Sequence, residues 1–167
     1  VLRWARMQTD HFPFTPKIIN LLDICIQIIE DQKFISQKKD ISIQNEIDSI
    51  LNVKADELML KTILRNLFSN AIKFTNKGGQ IKLTAERSKN DRIVISVSDN
   101  GIGMTPLEVS DLFNISTMHS KMGTANEKGT GMGLLLCKDL VTKHDGNIWV
   151  ESSPGKGSQF SFTLLEG

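Results

Sequence analysis

Amide and amine side chains along one predicted helix are the first feature that could do chemistry. In LKTILRNLFSNAIKFT, Asn66 and Asn70 are four residues apart and Lys73 follows three residues later, so all three share one helix face. Carboxamide oxygens can bind Mg²⁺, which keeps water and phosphate oxygens as its other ligands, and an ammonium group can offset phosphate charge. The spacing favours a metal-bound polyphosphate, although a solvated polar helix face would show the same pattern.

The stretch VSDNGIGM, residues 97–104, places a carboxylate at the end of a predicted strand. Gly101 and Gly103 follow Asp99 in the sequence and let the backbone turn tightly and lie close to a ligand. A carboxylate at the base of a pocket can accept a hydrogen bond from an amino group such as the exocyclic amine of adenine. An ordinary Asp-Asn-Gly turn would explain this motif when it is taken alone.

Three alternating glycines, Gly129, Gly131 and Gly133, precede an apolar helix in GTGMGLLLCK. A dinucleotide site requires G-x-G-x-x-G after the first strand of a parallel βαβ unit, with an acidic residue about 20 residues further on. Here the spacing is G-x-G-x-G after a long loop, and the predicted topology is antiparallel, so we reject that class of site. The motif fits a hinged loop entering a helix N-terminus, where free N–H groups favour an anion, or a structural turn.

Hydrophobic periodicity predicts the elements that must position these residues. Helical spacing of apolar residues alternates along the chain with short stretches of period two, which favours an α+β sandwich with helices on one face of a mostly antiparallel sheet. The predicted helices are 21–34, 54–74 and 134–144, and the predicted strands are 41–47, 80–85, 92–98, 147–152 and 158–164, with a short edge strand in FTPKIINL.

Residues 100–130 lose this periodicity. They are rich in Gly, Ser, Thr, Asn and Met, and a long irregular segment within a compact domain indicates either function or disorder. The motif SDLFNIST contains Phe113, and this motif by itself indicates only an aromatic loop residue that packs in the core.

Composition bounds the function classes. The chain of 167 residues is 40% hydrophobic and 23% charged, with a net charge of +1, so nothing favours nucleic acid or a membrane surface as a partner. No apolar run approaches the roughly 20 residues of a membrane helix, and no signal peptide is visible. We expect Cys25 and Cys137 to be reduced core thiols of a cytoplasmic domain, and the start at Val1 suggests an excised piece of a longer protein.

The order of the motifs resembles the catalytic ATP-binding domain of sensor histidine kinases. An Asn-bearing helix, D-x-G-x-G, an aromatic motif and G-x-G-x-G correspond to what that family calls the N, G1, F and G2 boxes. NLFSNAIKFT, DNGIGM and GTGMGL match those patterns almost letter for letter, and HDGNIWVESSPGKGSQFSFTL is similar to the closing strands. The resemblance extends over about residues 14–165.

The resemblance implies the Bergerat ATP-binding fold, a two-layer α/β sandwich with a mixed, mostly antiparallel sheet, helices on one face and a long ATP lid. It implies that Asn66 and Asn70 contact Mg²⁺ and the phosphates, with Lys73 beside them, and that Asp99 binds the adenine amine. Residues 105–128 would form the lid, anchored by Phe113, and GTGMGL would be its hinge. Further ATP contacts are implied at Gly101, Ile102, Gly103, Met104, Phe113, Gly129, Thr130, Gly131, Met132, Gly133 and Leu134.

The same resemblance implies that part of the machinery lies outside the chain. Residues 1–12 resemble the end of the second helix of the family's dimerisation and phosphoacceptor domain, which leaves 13–167 as the catalytic domain. His11, His119 and His144 all lie outside the family's phosphoacceptor context, so phosphoryl transfer to a histidine of the missing domain is implied. A response regulator receiver domain would follow. We expect a monomeric fragment and a homodimeric parent, which could be anchored in the inner membrane.

Two positions depart from related patterns. Related ATPases such as gyrase and the heat-shock chaperone of this fold carry Glu four residues before the first Asn, where this chain has Thr62. A hydroxyl cannot act as a general base near neutral pH, which favours a kinase over an ATP hydrolase of the gyrase or mismatch-repair type. The lid contains no Arg, so Lys121 or Lys128 would supply any cation, without the guanidinium fork. A degenerate module that binds nucleotide without transfer is the other alternative.

Overall fold

The computed structural model describes residues 13–114, 121–127 and 132–167, which form four helices and seven strands. The predicted helix tail at residues 1–12 lies outside the described residues. The helices are α1 (Leu21–Lys38), α2 (Glu57–Phe74), α3 (Pro106–Asp111) and α4 (Gly133–Lys143). The strands are β1 (Lys17–Asn20), β2 (Ser42–Asn45), β3 (Asn52–Ala55), β4 (Gln80–Arg87), β5 (Arg92–Asp99), β6 (Ile148–Ser152) and β7 (Ser158–Glu166).

All seven strands join one mixed sheet in the order β1-β3-β7-β5-β4-β2, with β6 paired to β7 beside β3. β2 and β4 are parallel, and the other pairs are antiparallel. The β4–β5 hairpin turns through Asn90 and Asp91, which both adopt positive φ angles, as expected of residue types that tolerate the left-handed region. The mixed, mostly antiparallel sheet predicted from the sequence is confirmed.

The two faces of the sheet differ in chemistry, and this difference puts the helices on one side. Period-two alternation sends the apolar residues of the central strands into the core, where they pack with α1, α2 and α4. The opposite face is polar and forms a groove of about 340 Å³ beside Trp149. The inward-facing residues of the central strands are Ile81, Leu83, Ile93, Ile95, Val97, Phe160, Phe162 and Leu164. The α+β sandwich is therefore confirmed.

Helix α2 lies at the centre of the helical layer. One face of it is wholly buried, from Met59 to Ile72, because its apolar residues recur every three to four positions. Asp56 caps its N-terminus by accepting the Met59 amide at 3.0 Å. The same carboxylate accepts the Thr15 amide and hydroxyl, at 3.0 and 3.1 Å, and so ties the segment before β1 to the start of α2.

Two short elements were missed by periodicity. The predicted start of α2 at residue 54 is wrong, because Asn52–Ala55 pairs with β1 and β7 as a strand and the helix begins only after the Asp56 cap. Helix α3 lies within the stretch taken as irregular. It is too short for a period, but Thr105, Pro106 and Glu108 form a capping box with proline in the first turn.

We predict that Asp56→Ala lowers the free energy of unfolding by about 1–2 kcal/mol, the scale of a lost N-cap. Although burial would raise the pKa of Asp56, hydrogen bonds from Thr15 and Met59 together lower it. A lowered carboxyl pKa contributes stability above the ordinary Asp range, and this contribution is lost as the pH falls through the folded-state value. Urea unfolding at pH 7 and at acidic pH checks both statements. Asp139→Ala, at an exposed position of α4, is the control, and an equal loss in both variants would contradict the assignment.

Candidate functional site

The amide side chains of α2 meet the start of α4. Asn66 donates from Nδ2 to the Thr62 carbonyl at 2.8 Å, which turns its Oδ1 towards Gly133. A Cβ atom at Gly133 would lie 2.8 Å from that oxygen, so a larger residue there would displace the Asn66 side chain. Asn70 lies one turn further along α2, half-buried. The structure therefore brings together the first predicted polar cluster and the helix behind GTGMGL.

The N-terminus of α4 begins beside Asn66. Met132 is the N-cap residue and supplies no side-chain hydrogen bond to the first turn. Such a turn carries N–H groups without intrahelical partners and the positive end of the helix dipole, which together favour an anion. Leu134 packs against the core and fixes the helix. Gly129, Thr130 and Gly131 lie outside the described residues, so their predicted roles stay predictions.

Lys73 carries an ammonium group at the end of the amide row. Its Nζ lies 5.1 Å from the centroid of the Phe74 ring. None of the ion pairs found among the described residues involves Lys73. Its charge is therefore not neutralised by a described carboxylate, which suits a cation that offsets phosphate.

Asp99 ends β5 at the edge of the candidate site. Its Oδ1 accepts the Gly101 amide at 2.8 Å, an Asx turn that fixes the carboxylate. Burial raises the pKa of Asp99, and hydrogen bonds from the Gly101 and Ser158 amides oppose that effect. A desolvated carboxylate gains from a hydrogen-bond donor, so this position suits an amino group.

The turn after Asp99 is enclosed by backbone on two sides. Ile102 donates its amide to the Phe74 carbonyl at 3.0 Å and accepts the Gly155 amide at 2.8 Å. Gly103 has a φ of 67°, and a Cβ atom there would overlap with the Ser153 carbonyl. The β6–β7 turn thus supports the D-x-G-x-G turn. The residues PGKG between two predicted strands indicated a turn. Nothing in the sequence indicated that this turn would contact the turn after Asp99.

Two of the apolar side chains predicted near the nucleotide, Met104 and Phe113, pack against the core. Met104 donates its amide to Ser152 Oγ at 2.9 Å, and both Met104 and Phe113 pack partly buried against the core. Phe113 therefore lies where an anchor of residues 105–114 would lie. Its role towards a lid stays a prediction, because residues 115–120 are outside the described part.

A second segment of the predicted lid, residues 121–127, contacts the end of α2. Thr124 donates its amide to the Lys73 carbonyl at 2.9 Å and its hydroxyl to the Thr75 carbonyl at 2.8 Å. Lys121, one of the two candidate lid cations, pairs with Glu108 at 3.1 Å. The other candidate, Lys128, lies outside the described residues.

Thr62 occupies the position where related ATPases have Glu. Its side chain is 5% exposed, and Oγ1 donates to the Leu58 carbonyl at 2.8 Å. Within the described ranges no group of three or more His, Cys, Asp or Glu residues could hold a metal ion. The amide row of α2 offers a cation neutral oxygen ligands, and Thr62 supplies no water-activating base.

Residues 55–167 match the family described as histidine kinase-, DNA gyrase B- and HSP90-like ATPase. The chain belongs to this family. The matched region contains α2, the Asp99 turn, the start of α4 and the closing strands, which are the elements that build the candidate site. The predicted family membership is confirmed.

Histidine kinases are among the proteins similar to this chain. The adaptive-response sensory kinase SasA of Prochlorococcus marinus is 36% identical over 152 residues, which cover 90% of this chain and 40% of SasA. The catalytic domain of histidine kinase ThkA, nucleotide-free, has a TM-score of 0.78 at 28% identity, covering 93% of this chain and 97% of that one. The structure of full-length ShkA in complex with AMPPNP has a TM-score of 0.83 at 26% identity, and the match covers 99% of this chain and 34% of ShkA.

The chain spans less than half the length of SasA. None of the helices among the described residues has the length and apolar character needed to cross a bilayer.

We predict that Gly157→Ala lowers the free energy of unfolding of this chain more than Gly155→Ala does. Both residues lie in the β6–β7 turn at a φ of 76°, so both substitutions carry the left-handed strain of about 1–2 kcal/mol. A Cβ atom at Gly157 would overlap with the Asp99 carbonyl, whereas nothing lies within 4 Å of one at Gly155. We expect a further loss of about 1–3 kcal/mol for Gly157→Ala alone. Equal losses in urea unfolding would contradict the support of Asp99 by this turn.

We predict that Asp99→Asn raises the free energy of unfolding of the ligand-free chain at pH 7. A carboxyl pKa raised on folding makes the charged form destabilising above the ordinary Asp range, and the effect disappears once the group is protonated in both states. The gain should therefore shrink as the pH falls from the raised folded-state pKa through the ordinary Asp range, and it should be absent below that range. Urea unfolding between pH 3 and 7 measures it, with Asp139→Asn as the exposed control. Lower stability of Asp99→Asn at pH 7 would contradict the prediction.

Proposed function

We propose that this chain is the catalytic ATP-binding domain of a sensor histidine kinase. It would transfer the γ-phosphoryl group of ATP to a histidine on a separate dimerisation domain. The observation that carries the proposal is the apposition of Asn66 and Gly133, which brings the first amide of the α2 row beside the N-terminus of α4. Lys73 lies at one end of that row with its ammonium unpaired among the described residues.

The proposed nucleotide lies across the two ends of this site. Asp99 accepts the adenine amine, and the turn at Gly101 and Gly103 lets the base lie close to the backbone. Amides at the start of α4 and the ammonium of Lys73 face the phosphates. Binding of AMPPNP by ShkA, which is similar to this chain, supports ATP as the ligand.

Asn66 and Asn70 would hold Mg²⁺ through their carboxamide oxygens. The donor set fits this ion, which keeps several waters and phosphate oxygens and needs few protein ligands. Bound with ATP, Mg²⁺ would neutralise charge on the β- and γ-phosphates. The chain's own residues then mainly position and neutralise, because phosphoryl transfer needs little covalent help from the protein.

Thr62 favours transfer over hydrolysis. Its hydroxyl is buried and donates to the Leu58 carbonyl, so it does not orient or deprotonate a water molecule. An ATP hydrolase of the gyrase or mismatch-repair type needs a carboxylate there. A steady-state phosphate-release assay on this chain separates the two activities, since the proposed kinase domain releases no phosphate beyond background.

His144 is built into the fold and does not suit a phosphoacceptor. Its Nε2 accepts the Asp56 amide at 3.1 Å, so Nδ1 carries the proton and donates to the Leu140 carbonyl at 2.7 Å. Phe14 packs against its ring edge to face, with centroids 4.9 Å apart. His11 and His119 lie outside the described residues. We therefore propose that the acceptor histidine belongs to a dimerisation domain preceding this one, with residues 1–12 as the end of its last helix.

Partners and location follow from the proposed reaction. We propose a homodimeric parent whose phosphorylated histidine serves the receiver domain of a response regulator. ThkA, with which this chain shares its fold, has been solved in complex with the response regulator protein TrrA, which supports a partner of this class. The domain would face the cytoplasm, where ATP is available. A degenerate module that binds nucleotide without transfer is the alternative that a reconstituted transfer assay excludes.

We predict that Asn70→Ala abolishes Mg²⁺-dependent binding of AMPPNP, because it removes one of two amide ligands of the metal. Isothermal titration with and without Mg²⁺ measures the effect, and Asn147→Ala, at an exposed position after α4, is the matched control. In the full-length parent, Asn70→Ala should abolish autophosphorylation while Asn147→Ala retains it. Normal autophosphorylation of Asn70→Ala would refute the assignment of this residue.

A further inference from the structure

A buried lysine outside the proposed nucleotide contacts lies at the C-terminus of α2. Lys39 follows α1, and only 9% of it is exposed. Its Nζ donates to the Ile72 carbonyl at 2.8 Å, to the Lys73 carbonyl at 3.0 Å and to Glu127 Oε2 at 2.8 Å. Three acceptors use all three protons of the ammonium group.

The position of this amine has a clear electrostatic reason. The last carbonyls of a helix lack intrahelical partners and form the negative end of its dipole, so a cation there is stabilising. A buried ammonium is costly unless it is paired and hydrogen-bonded. Lys39 therefore caps α2, and Glu127 completes its neutralisation.

Glu127 connects this amine to the segment 121–127. Its second carboxylate oxygen, Oε1, accepts the Ala125 amide at 2.6 Å, and its carbonyl accepts the Gly123 amide at 2.9 Å. Thr124, between them, donates to the Lys73 and Thr75 carbonyls. One carboxylate thus organises a tight loop and attaches it to the end of α2.

This loop packs directly on the stem of Lys73. A Cβ atom at Gly123 would lie 2.5 Å from Lys73 Cγ, so the loop backbone borders the side chain along its aliphatic part. The carbonyl of the same residue accepts both Lys39 Nζ and the Thr124 amide. The loop therefore limits where the ammonium of Lys73 can lie.

We propose that Lys39 and Glu127 form a positioning pair, which holds residues 121–127 against the end of α2 and thereby orients Lys73 towards the phosphates of the nucleotide. Neither residue touches the nucleotide in this scheme. The inference rests on the proposed function, because it assigns Lys73 to the phosphate end of ATP.

The test compares Glu127→Gln with Glu46→Gln by amide NMR on this chain. Glu46 pairs with Lys82 at 3.2 Å on the sheet, which makes it a matched charge removal at a surface pair. The probes are Mg·AMPPNP, which has a phosphate end, and adenosine, which lacks one. Titrations give both affinities, hydrogen exchange at Thr124 reports attachment of the loop, and thermal unfolding reports stability.

We expect Glu127→Gln to weaken Mg·AMPPNP binding about tenfold, the scale of a lost hydrogen bond between charged groups. Adenosine affinity should match that of Glu46→Gln. The melting temperature should fall below that of Glu46→Gln, because the buried Lys39 ammonium loses its charged partner, and the Thr124 amide should exchange faster. The double variant Lys39→Gln with Glu127→Gln should lose no more affinity for Mg·AMPPNP than the single variant with the larger loss, since the two residues act as a unit.

Two outcomes would overturn the inference while the proposed function stands. One is unchanged AMPPNP affinity in Glu127→Gln. The other is an equal loss of affinity for AMPPNP and for adenosine, which would make the pair only structural. If the unaltered chain binds no AMPPNP, the proposed function itself fails and the inference fails with it.

Discussion

The carbonyl end of α2 is the constraint on which the rest of the site depends. Four successive backbone carbonyls there accept hydrogen bonds from three different parts of the chain. The Lys39 ammonium donates to the Ile72 and Lys73 carbonyls. The Ile102 amide donates to the Phe74 carbonyl. Thr124 donates to the Lys73 and Thr75 carbonyls. The end of α1, the turn after Asp99 and the segment 121–127 are thus positioned by one helix terminus. Because α2 also carries the amide row, these segments are placed relative to the side chains that would face the phosphates.

The opposite end of α2 is fixed as firmly. Asp56 caps the helix, accepts two hydrogen bonds from Thr15 and donates its amide to His144 at the end of α4. The two helices of the site therefore share a polar connection at one end and the close contact of Asn66 with Gly133 at the other. Between these points they pack through buried apolar side chains, with the Cys137 thiol against the Ile63 carbonyl. Burial raises the pKa of that thiol to about 12, so it acts as a core residue rather than as a nucleophile.

Much of this architecture could be predicted because the spacing of apolar residues repeats regularly along the helices and the longer strands. The helical period of α2 gave both its buried face and the shared edge of Asn66, Asn70 and Lys73, and alternation gave the inward residues of β4 and β5. Asp99 became a candidate only through the order of the motifs, because an ordinary Asp-Asn-Gly turn explains its own motif when that is taken alone. The strand Asn52–Ala55 was missed because four residues carry no clear period, and α3 because its signal lies in a capping box.

The positioning pair could not be predicted for a different reason. Lys39 and Glu127 are 88 residues apart, and each is an ordinary charged residue in its local sequence. Their contact exists only after α1 has packed beside α2 and the segment 121–127 has returned to the helix terminus. Burial of the Lys39 amine, which identifies it as unusual, is a property of the tertiary structure alone.

A crystal structure of this chain with Mg·AMPPNP tests the central claim most directly. The adenine amine should lie within hydrogen-bond distance of the Asp99 carboxylate, and the phosphates should lie between the amide row of α2 and the first turn of α4, with Mg²⁺ on the Asn66 and Asn70 oxygens. Nucleotide bound elsewhere, or phosphates facing away from α2, would contradict the assignment of this site.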